Sequence, residues 1–328
     1  MDFFQGTILP GNNVSDVVCT EDRIVMQMEN QTGKGTMTAQ RVFDGAYIMY
    51  NDFCMASCAS TFQLTGRKAM LAIDHCRAGR IEMEWKPGIY TYLQEKELRI
   101  DNRESHNGHV LFPLEHYQGI TIGFDMNVAE RALQAVFPGF SVKLDDIQQK
   151  FVNGNKPYVL KEDTGIEHIF SELYHLPDKV RKEYIQLKVL ELLLYLDALT
   201  ISDSLEERPY FYRSQVEKIK AVHDFIANEI GKHYTTETLA EMFSISPTAL
   251  KKGFKEIYND SLYAYLRRIR LNTAIKLLKT EPEKSIGEIA SIVGYDNQGK
   301  FSAAFKSMMG VTPLEYRKSG IPYTNSTD

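Results

Sequence analysis

Over its last third the chain repeats itself. Leu250 and Phe301, Phe254 and Phe305, Lys255 and Lys306, and Tyr265 and Tyr316 each stand 51 residues apart. Ala240 and Ala290, in the segments just before, stand 50 apart, so one residue is gained at a turn. A pattern duplicated at that period is one supersecondary unit used twice. Within each copy the apolar pair is four residues apart, which places both on one face of a helix. Leu250, Phe254, Phe301, Phe305, Tyr265 and Tyr316 are therefore core residues.

Helix boundaries here are written in capping chemistry. Ser246-Pro247 gives an N-cap followed by proline at the first helical position, where a missing N–H costs nothing. Ser285–Glu288 and Thr312–Glu315 fit the capping box, and Pro313 again opens a helix. The pattern predicts helices at about Gln215–Ile230, Thr236–Phe243, Pro247–Tyr258, Ser261–Lys279, Ile286–Val293, Asn297–Met308 and Pro313–Arg317. Each repeat is then a short helix, a turn and a second helix. The first turn is Phe243–Ser246 and the second carries Gly294.

With the apolar residues facing in, Thr248, Lys251, Lys252 and Lys255 are left on the outer side of the first unit's second helix. Gln298, Lys300, Ser302 and Lys306 take that place in the second unit. Polar and basic side chains near the start of such a helix are what major-groove reading and phosphate docking require. The spacer Ser261–Lys279 would be roughly 28 Å long as a helix. Successive major-groove faces on one side of B-DNA lie ~34 Å apart, so both units could meet one duplex. Arg267, Arg268 and Arg270 on the spacer are expected to pair in part with nearby acids, and Arg317 to cap or pair rather than read a base.

The net charge of −5 opposes a polyanion partner until the chain is divided. From Arg213 onward there are 17 Lys and Arg against 13 Asp and Glu, a charge of +4, whereas the remainder carries 21 against 30, or −9. The basic side is the C-terminal third. A length of 328 residues with 43% hydrophobic and 25% charged content fits two globular domains. No apolar run reaches the ~20 residues of a bilayer span. Met1–Thr20 lacks the basic start of a secretory signal, and four cysteines do not make a disulfide framework. A cytoplasmic setting is expected.

Ser246-Pro-Thr-Ala-Leu-Lys-Lys-Gly-Phe-Lys255, then Ile289-Ala290, Val293-Gly294-Tyr295, Phe301-Ser302, Ala304-Phe305-Lys306 and Gly310-Val-Thr-Pro-Leu-Glu-Tyr-Arg317 carry a resemblance. They are similar to the AraC-type helix-turn-helix transcriptional regulators (the AraC/XylS family), over about Lys218–Lys318. The resemblance implies base-reading and phosphate contacts from Thr248, Lys251 and Lys252 in the first unit and Gln298, Lys300 and Ser302 in the second. Ala303 departs from it, standing where many members place a long polar or basic side chain.

The first half reads differently. Arg23–Glu29, Thr36–Phe43, Ala46–Phe53, Met70–Cys76, Arg80–Trp85, Ile89–Gln94, Leu98–Asn102, Val110–Phe112 and Gly119–Asp125 are short, rich in β-branched or aromatic residues, and punctuated by glycine. Around nine strands at this spacing point to a small barrel or sandwich. Helical periods follow at Val128–Phe137, Asp163–Leu176 and Arg181–Leu199. The last carries Ile185, Val189, Leu192, Leu193 and Leu196 on one face, for a dimer partner or for its own domain.

Strands then helices before a double helix-turn-helix resemble the family's effector domain, a cupin-like β-barrel with dimerising helices. The expected fold class is thus α+β in two domains. Residues 1–201 would form the effector-binding and dimerisation domain, 202–214 a polar linker with Pro209, 215–320 the DNA-binding domain, and 321–328 a tail. The resemblance implies a homodimeric activator, gated by a small-molecule effector and acting on double-stranded DNA and RNA polymerase, with no cofactor and no catalysis. Asp74–Glu82 is also similar to a segment of members that sense siderophores. Arg80, Trp85, Tyr90, Tyr92 and Tyr117 are candidates to line an effector pocket.

Two alternatives remain at this level. A cupin-type metalloenzyme with an appended helical domain would need a complete metal set. His106, His109 and His116 with Glu115 have the wrong spacing for one, and no catalytic signature stands elsewhere. A DNA-architectural protein without an effector would need no pocket. Cys54 and Cys58, four apart in an alternating segment, are expected to face one side and be buried.

Overall fold

The computed structural model describes residues 13–20, 23–59, 70–103, 109–152, 156–201 and 211–319. The side chains of Trp85, His109, Asp178 and Ser319 lie outside that description. The chain divides into two compact units between Tyr212 and Arg213. The proposed linker falls mostly on residues 202–210, and the tail on 321–328, both outside the described residues.

The N-terminal unit is a curled antiparallel sheet. Its strands are β1 (Val14–Cys19), β2 (Arg23–Asn30), β3 (Gly33–Phe43), β4 (Ala46–Cys54), β5 (Ser57–Ala59), β6 (Met70–Lys86), β7 (Ile89–Gln94), β8 (Glu97–Asp101), β9 (His109–Leu111), β10 (Tyr117–Asp125), β11 (Tyr158–Lys161) and β12 (Phe211–Tyr212). The main path runs β1-β2-β3-β4-β10-β6-β7-β12, with β8 joining β6 to β11 and β9 joining β6 to β5. The expected strands Met70–Cys76 and Arg80–Trp85 are one strand of 17 residues. Gly79 does not end it. With φ +80°, and with His116 O only 2.2 Å from where a Cβ would sit, it bends it. The register against β10 slips at Gln118/Gly119. The first half of β6 therefore pairs with β8 and the second with β7.

Side chains alternate across such a sheet. On one side Ile48, Leu71, Ile73, Ile120, Ile122 and Phe124 pack against helices. These are α1 (Met126–Val136), α2 (Leu144–Phe151), α3 (Thr164–Tyr174) and α4 (Arg181–Ala198). Asp163 caps α3 by accepting from Gly165 N and Ile166 N at 3.0 Å. On the other side Met26, Met28, Met37, Tyr47, Met49, Met70 and Met83 form a second core. On α4, Ile185, Val189, Leu192, Leu193 and Leu196 are all buried in the unit's own core. That stripe is used within the domain, and Tyr184, Leu187 and Leu194 are the large apolar residues that α4 exposes.

Cys54 and Cys58 do not share a strand face. Cys54 ends β4 and is exposed, two bent residues intervene, and Cys58 in β5 is buried.

The C-terminal unit is helical: α5 (Arg213–Asn228), α6 (Thr236–Met242), α7 (Pro247–Tyr258), α8 (Leu262–Thr280), α9 (Ile286–Ile292), α10 (Gln298–Met309) and α11 (Pro313–Ser319). Ser246 accepts from Ala249 N at 3.2 Å. Ser285 and Glu288 form a reciprocal capping box, and Thr312 and Glu315 do the same. Caps of this kind contribute about 1 kcal/mol each. Leu250, Phe254, Phe301 and Phe305 are fully buried, and Ala240, Ala290, Tyr265 and Tyr316 nearly so.

Candidate nucleic-acid interface

Each repeat turns in the same way. Ile245 N donates to Ala240 O at 2.9 Å, and Tyr295 N to Ala290 O at 2.8 Å. These are the long bonds of a Schellman-type helix end, which needs a left-handed residue inside it. Ser244 (φ 51°) and Gly294 (φ 83°) supply it. The turn fixes the angle at which the second helix leaves the first, and so which of its faces is left for solvent.

On α7 the outer face is what the apolar period implies. Thr248, Lys251, Lys252 and Lys255 are all exposed and fall within about 100° around the helix axis. Lys251 Nζ lies 3.7 Å from Glu237 Oε1 on α6, a solvent-exposed pair that a phosphate could displace at little cost. On α10, Gln298, Lys300 and Lys306 are exposed, while Ser302 is half-buried on the flank. The centre of that face is Gly299 and Ala303, both exposed. Asn297 caps the helix, accepting from Gly299 N and Lys300 N at 2.7 and 3.2 Å.

The arginines of α8 separate. Arg268 lies 3.7 Å from Asp260 and over the Tyr265 ring. Arg270 is not in a charge pair as expected. It is buried and donates to backbone carbonyls of Ile230 and Lys232. Arg317 Nη1 donates to Pro282 O at 3.4 Å. Sequence reasoning also passed over His223. Its ring stacks on Tyr258 at 4.2 Å, and its Nε2 lies 2.5 Å from Tyr265 Oη, inside the core of the first repeat.

Arg80, Tyr92 and Tyr90 fall on one face of the β6–β7 pair, where Arg80 opposes Gln94, Glu82 opposes Tyr92 and Glu84 opposes Tyr90, while Tyr117 packs in the methionine-lined core. Arg80 is fully buried beside Gln94. Tyr92 Oη donates to Glu82 at 2.8 Å, and Tyr117 stacks on Phe112. Tyr90 is half-buried opposite Glu84 and Phe211, and the Trp85 side chain lies outside the description. Asp74–Glu82 is the middle of β6, and its side chains are used on both faces of the sheet.

A separate charged group stands on the methionine-lined side. Asp74 accepts from Thr121 Oγ1 at 2.7 Å and from Arg103 at 2.5 Å, and Arg99 contacts Asp101. Burial opposes ionisation of Asp101, but Arg99 and Arg103 outweigh it and hold its carboxyl below the usual range. Asp74 Oδ2 and Arg99 Nε are buried without a hydrogen-bond partner.

Among the described residues no group of three or more His, Cys, Asp and Glu side chains could hold a metal ion. His106 lies outside those residues, and His116 Nδ1 sits 3.3 Å from Leu114 O. Nor is any described helix long and apolar enough to cross a membrane.

Residues 239–319 match the family model described as a helix-turn-helix domain. The chain is 37% identical over 87 residues to the HTH-type transcriptional regulator AlkR of Acinetobacter baylyi, covering 26% of this chain and 28% of that protein. It is 35% identical over 96 residues to the uncharacterized transcriptional regulatory protein YesN of Bacillus subtilis, covering 28% and 26%. The HTH-type transcriptional activator RhaR of Pectobacterium carotovorum is 29% identical over 147 residues, covering 43% and 51%. The chain thus spans between about a quarter and a half of the length of these relatives. Among solved structures, the C-terminal domain of AraT, a response regulator from Geobacillus stearothermophilus, is 35% identical. That match covers 34% of this chain and 91% of that one, at a TM-score of 0.31. With the duplicated turn, the motif residues, the family model and the curated relatives in agreement, the C-terminal part of this chain is an AraC-type helix-turn-helix domain.

Proposed function

We propose that the protein is a sequence-specific DNA-binding transcriptional regulator, gated by a small-molecule effector held in its N-terminal unit and working as a homodimer. The observation that carries this reading is the outward face of α7, where Thr248, Lys251, Lys252 and Lys255 are exposed together. Three ammonium groups on one short helix suit phosphates and guanine edges, and Thr248 suits either base or backbone. The face of α10 supplies Gln298, Lys300 and Lys306 for a second groove, with Ser302 at its flank. The cationic excess of the C-terminal third supports the same partner.

The N-terminal part of the proposal takes residues 1–201 as a cupin-like effector and dimerisation domain, 202–214 as linker and 215–320 as DNA-binding domain. A curled sheet with helices on one side suits that role. The interior charges around Asp74 and Arg99, each with a buried polar atom that makes no hydrogen bond, join Arg80, Trp85, Tyr90, Tyr92 and Tyr117 as the groups proposed to meet an effector. The exposed face Tyr184, Leu187 and Leu194 of α4 is the proposed contact between two copies. An effector that favours one arrangement of the dimer would change which DNA sites it spans, and through them recruitment of RNA polymerase.

The test is selection of DNA from a random library by the full-length protein. Enrichment of a motif with two half-sites, one for each helix-turn-helix unit, is the expected result. Recovery of unenriched sequence would remove the reading.

A further inference from the structure

Three segments of the C-terminal unit meet at one guanidinium. Arg270, midway along α8, is 7% exposed. Its Nε donates to the Ile230 carbonyl and its Nη2 to the Lys232 carbonyl, both at 2.8 Å. These carbonyls lie just beyond the last turn of α5, where acceptors lack helical partners and a cation is favoured. On its other side the guanidinium lies against the turn between α9 and α10. A Cβ on Gly294 would stand 2.8 Å from Arg270 Cζ and 2.7 Å from Ile230 O. A Cβ on Gly231 would stand 3.0 Å from Ile292 O. The chain after α5 thus touches the second turn backbone to backbone, with Arg270 seated between.

The repeat supplies an internal control. Ser244 holds the position of Gly294 in the first turn, with the same left-handed backbone, and it keeps a side chain. That side chain is exposed. Glycine stands at the equivalent point only where the other repeat and the Arg270 guanidinium press against it.

The mechanical consequence follows from the topology. α5 packs on α7 in the first repeat, and α9 packs on α10 in the second. Covalently the repeats are joined by α8 alone. A single helix fixes the length of a connection but bends and twists about its axis. A second tie, off that axis, braces it.

We infer that Arg270 is a positioning residue for DNA recognition: by tying the end of α5 to the second turn, it fixes the spacing and angle between α7 and α10. It thereby sets which separation of half-sites the domain accepts. This rests on the proposal that both helices enter DNA. Moving one half-site by a base pair shifts it by about 3.4 Å and turns it by roughly 35° around the duplex. A braced pair of helices cannot follow that displacement, whereas an unbraced pair can follow it in part.

The test uses full-length protein and duplexes built from its selected motif. The half-sites are set at the native spacing and at one and two base pairs either side, and each is also presented alone. Binding is read by fluorescence anisotropy for wild type, Arg270→Gln and Arg270→Lys, with thermal melting in parallel. For wild type, one added base pair should cost about tenfold or more in affinity. For Arg270→Gln the penalty should shrink to about threefold or less, with single half-sites bound as before. Arg270→Lys keeps the charge and stem but reaches one carbonyl at a time. It should fold if the glutamine variant does not, and give an intermediate profile. A spacing profile unchanged in the folded variant overturns the inference and leaves the DNA-binding reading intact. So does an equal loss at every spacing and on single half-sites. A wild-type protein that selects no motif sinks both.

Discussion

Ser244 and Gly294 stand 50 residues apart at the same point of two turns, and both hold a left-handed backbone, at φ 51° and 83°. Their surroundings differ, and so should their responses to mutation. Ser244→Gly relieves a backbone strain of about 1–2 kcal/mol and gives back part of it in unfolded-chain entropy. The C-terminal unit should melt at the same temperature or slightly higher. Gly294→Ala adds the strain and a clash with Ile230 O and Arg270, so a loss of about 2–4 kcal/mol is expected. Calorimetry of the two variants checks the asymmetry, and equal effects would contradict it.

The lysines of α7 should act through salt. Each phosphate contact contributes about 0.9 to the slope of log affinity against log salt concentration. Lys251→Ala, Lys252→Ala and Lys255→Ala are each expected to weaken binding and lower that slope by about one. A titration from low to moderate salt reads both numbers, and a residue whose loss changes neither does not touch DNA. Ala303→Arg should do the reverse, since it places a cation at the exposed centre of α10. Tighter binding and a slope steeper by about one are expected.

The buried cluster of Arg99, Asp101, Arg103 and Asp74 predicts an acid limb in the stability of the N-terminal unit. Asp101 titrates below its unfolded value because the pull of Arg99 and Arg103 exceeds the cost of burial. A depressed carboxylate contributes its full stability above the unfolded pKa of ~3.9, and loses it as pH falls through the folded value. Asp101→Asn should remove that dependence and destabilise the unit by about 3–5 kcal/mol at neutral pH, because Arg99 is left buried without its partner. Urea unfolding between pH 2 and 7 is the measurement, and a variant that keeps the wild-type acid limb would assign it elsewhere.

If the exposed face of α4 joins two copies, a charge in it should part them. Leu187→Glu lies away from the buried stripe, as Leu187 is 57% exposed. The variant is expected to fold and sediment as a monomer, and to lose affinity for two copies of the selected motif on one duplex more than for a single copy. A dimer that persists in the variant would move the interface to another surface.

How much of this was legible depended on where the information sits. The C-terminal helices fell within about two residues of their expected ends because Ser246, Ser285 and Thr312 write their caps into the local sequence. The outward lysines followed from the same period. In the sheet, β5, β11 and β12 have two to four residues each, too few for a period to show in the sequence. β6 was cut in two because a glycine reads as an end unless its partner strand is known. Arg270 reads in the sequence as one of three spacer arginines that pair in part with nearby acids. What buries it is the loop 38 to 40 residues earlier and the turn 24 later, and no local pattern brings them together. Ser244 gives no sign of its left-handed backbone, since serine is at home in ordinary turns.

The long strand β6 places a restriction on how this gene can drift. In its first half Leu71 and Ile73 face the helices while Met70 and Cys76 face the opposite interior, and the strand borders β10, β8, β7 and β9. Deleting or inserting one codon between Met70 and Ile73 would invert that assignment downstream of the change. Ile73 and Asp74 would trade environments, leaving an ion among aliphatics and an aliphatic among ions. This segment must keep its count.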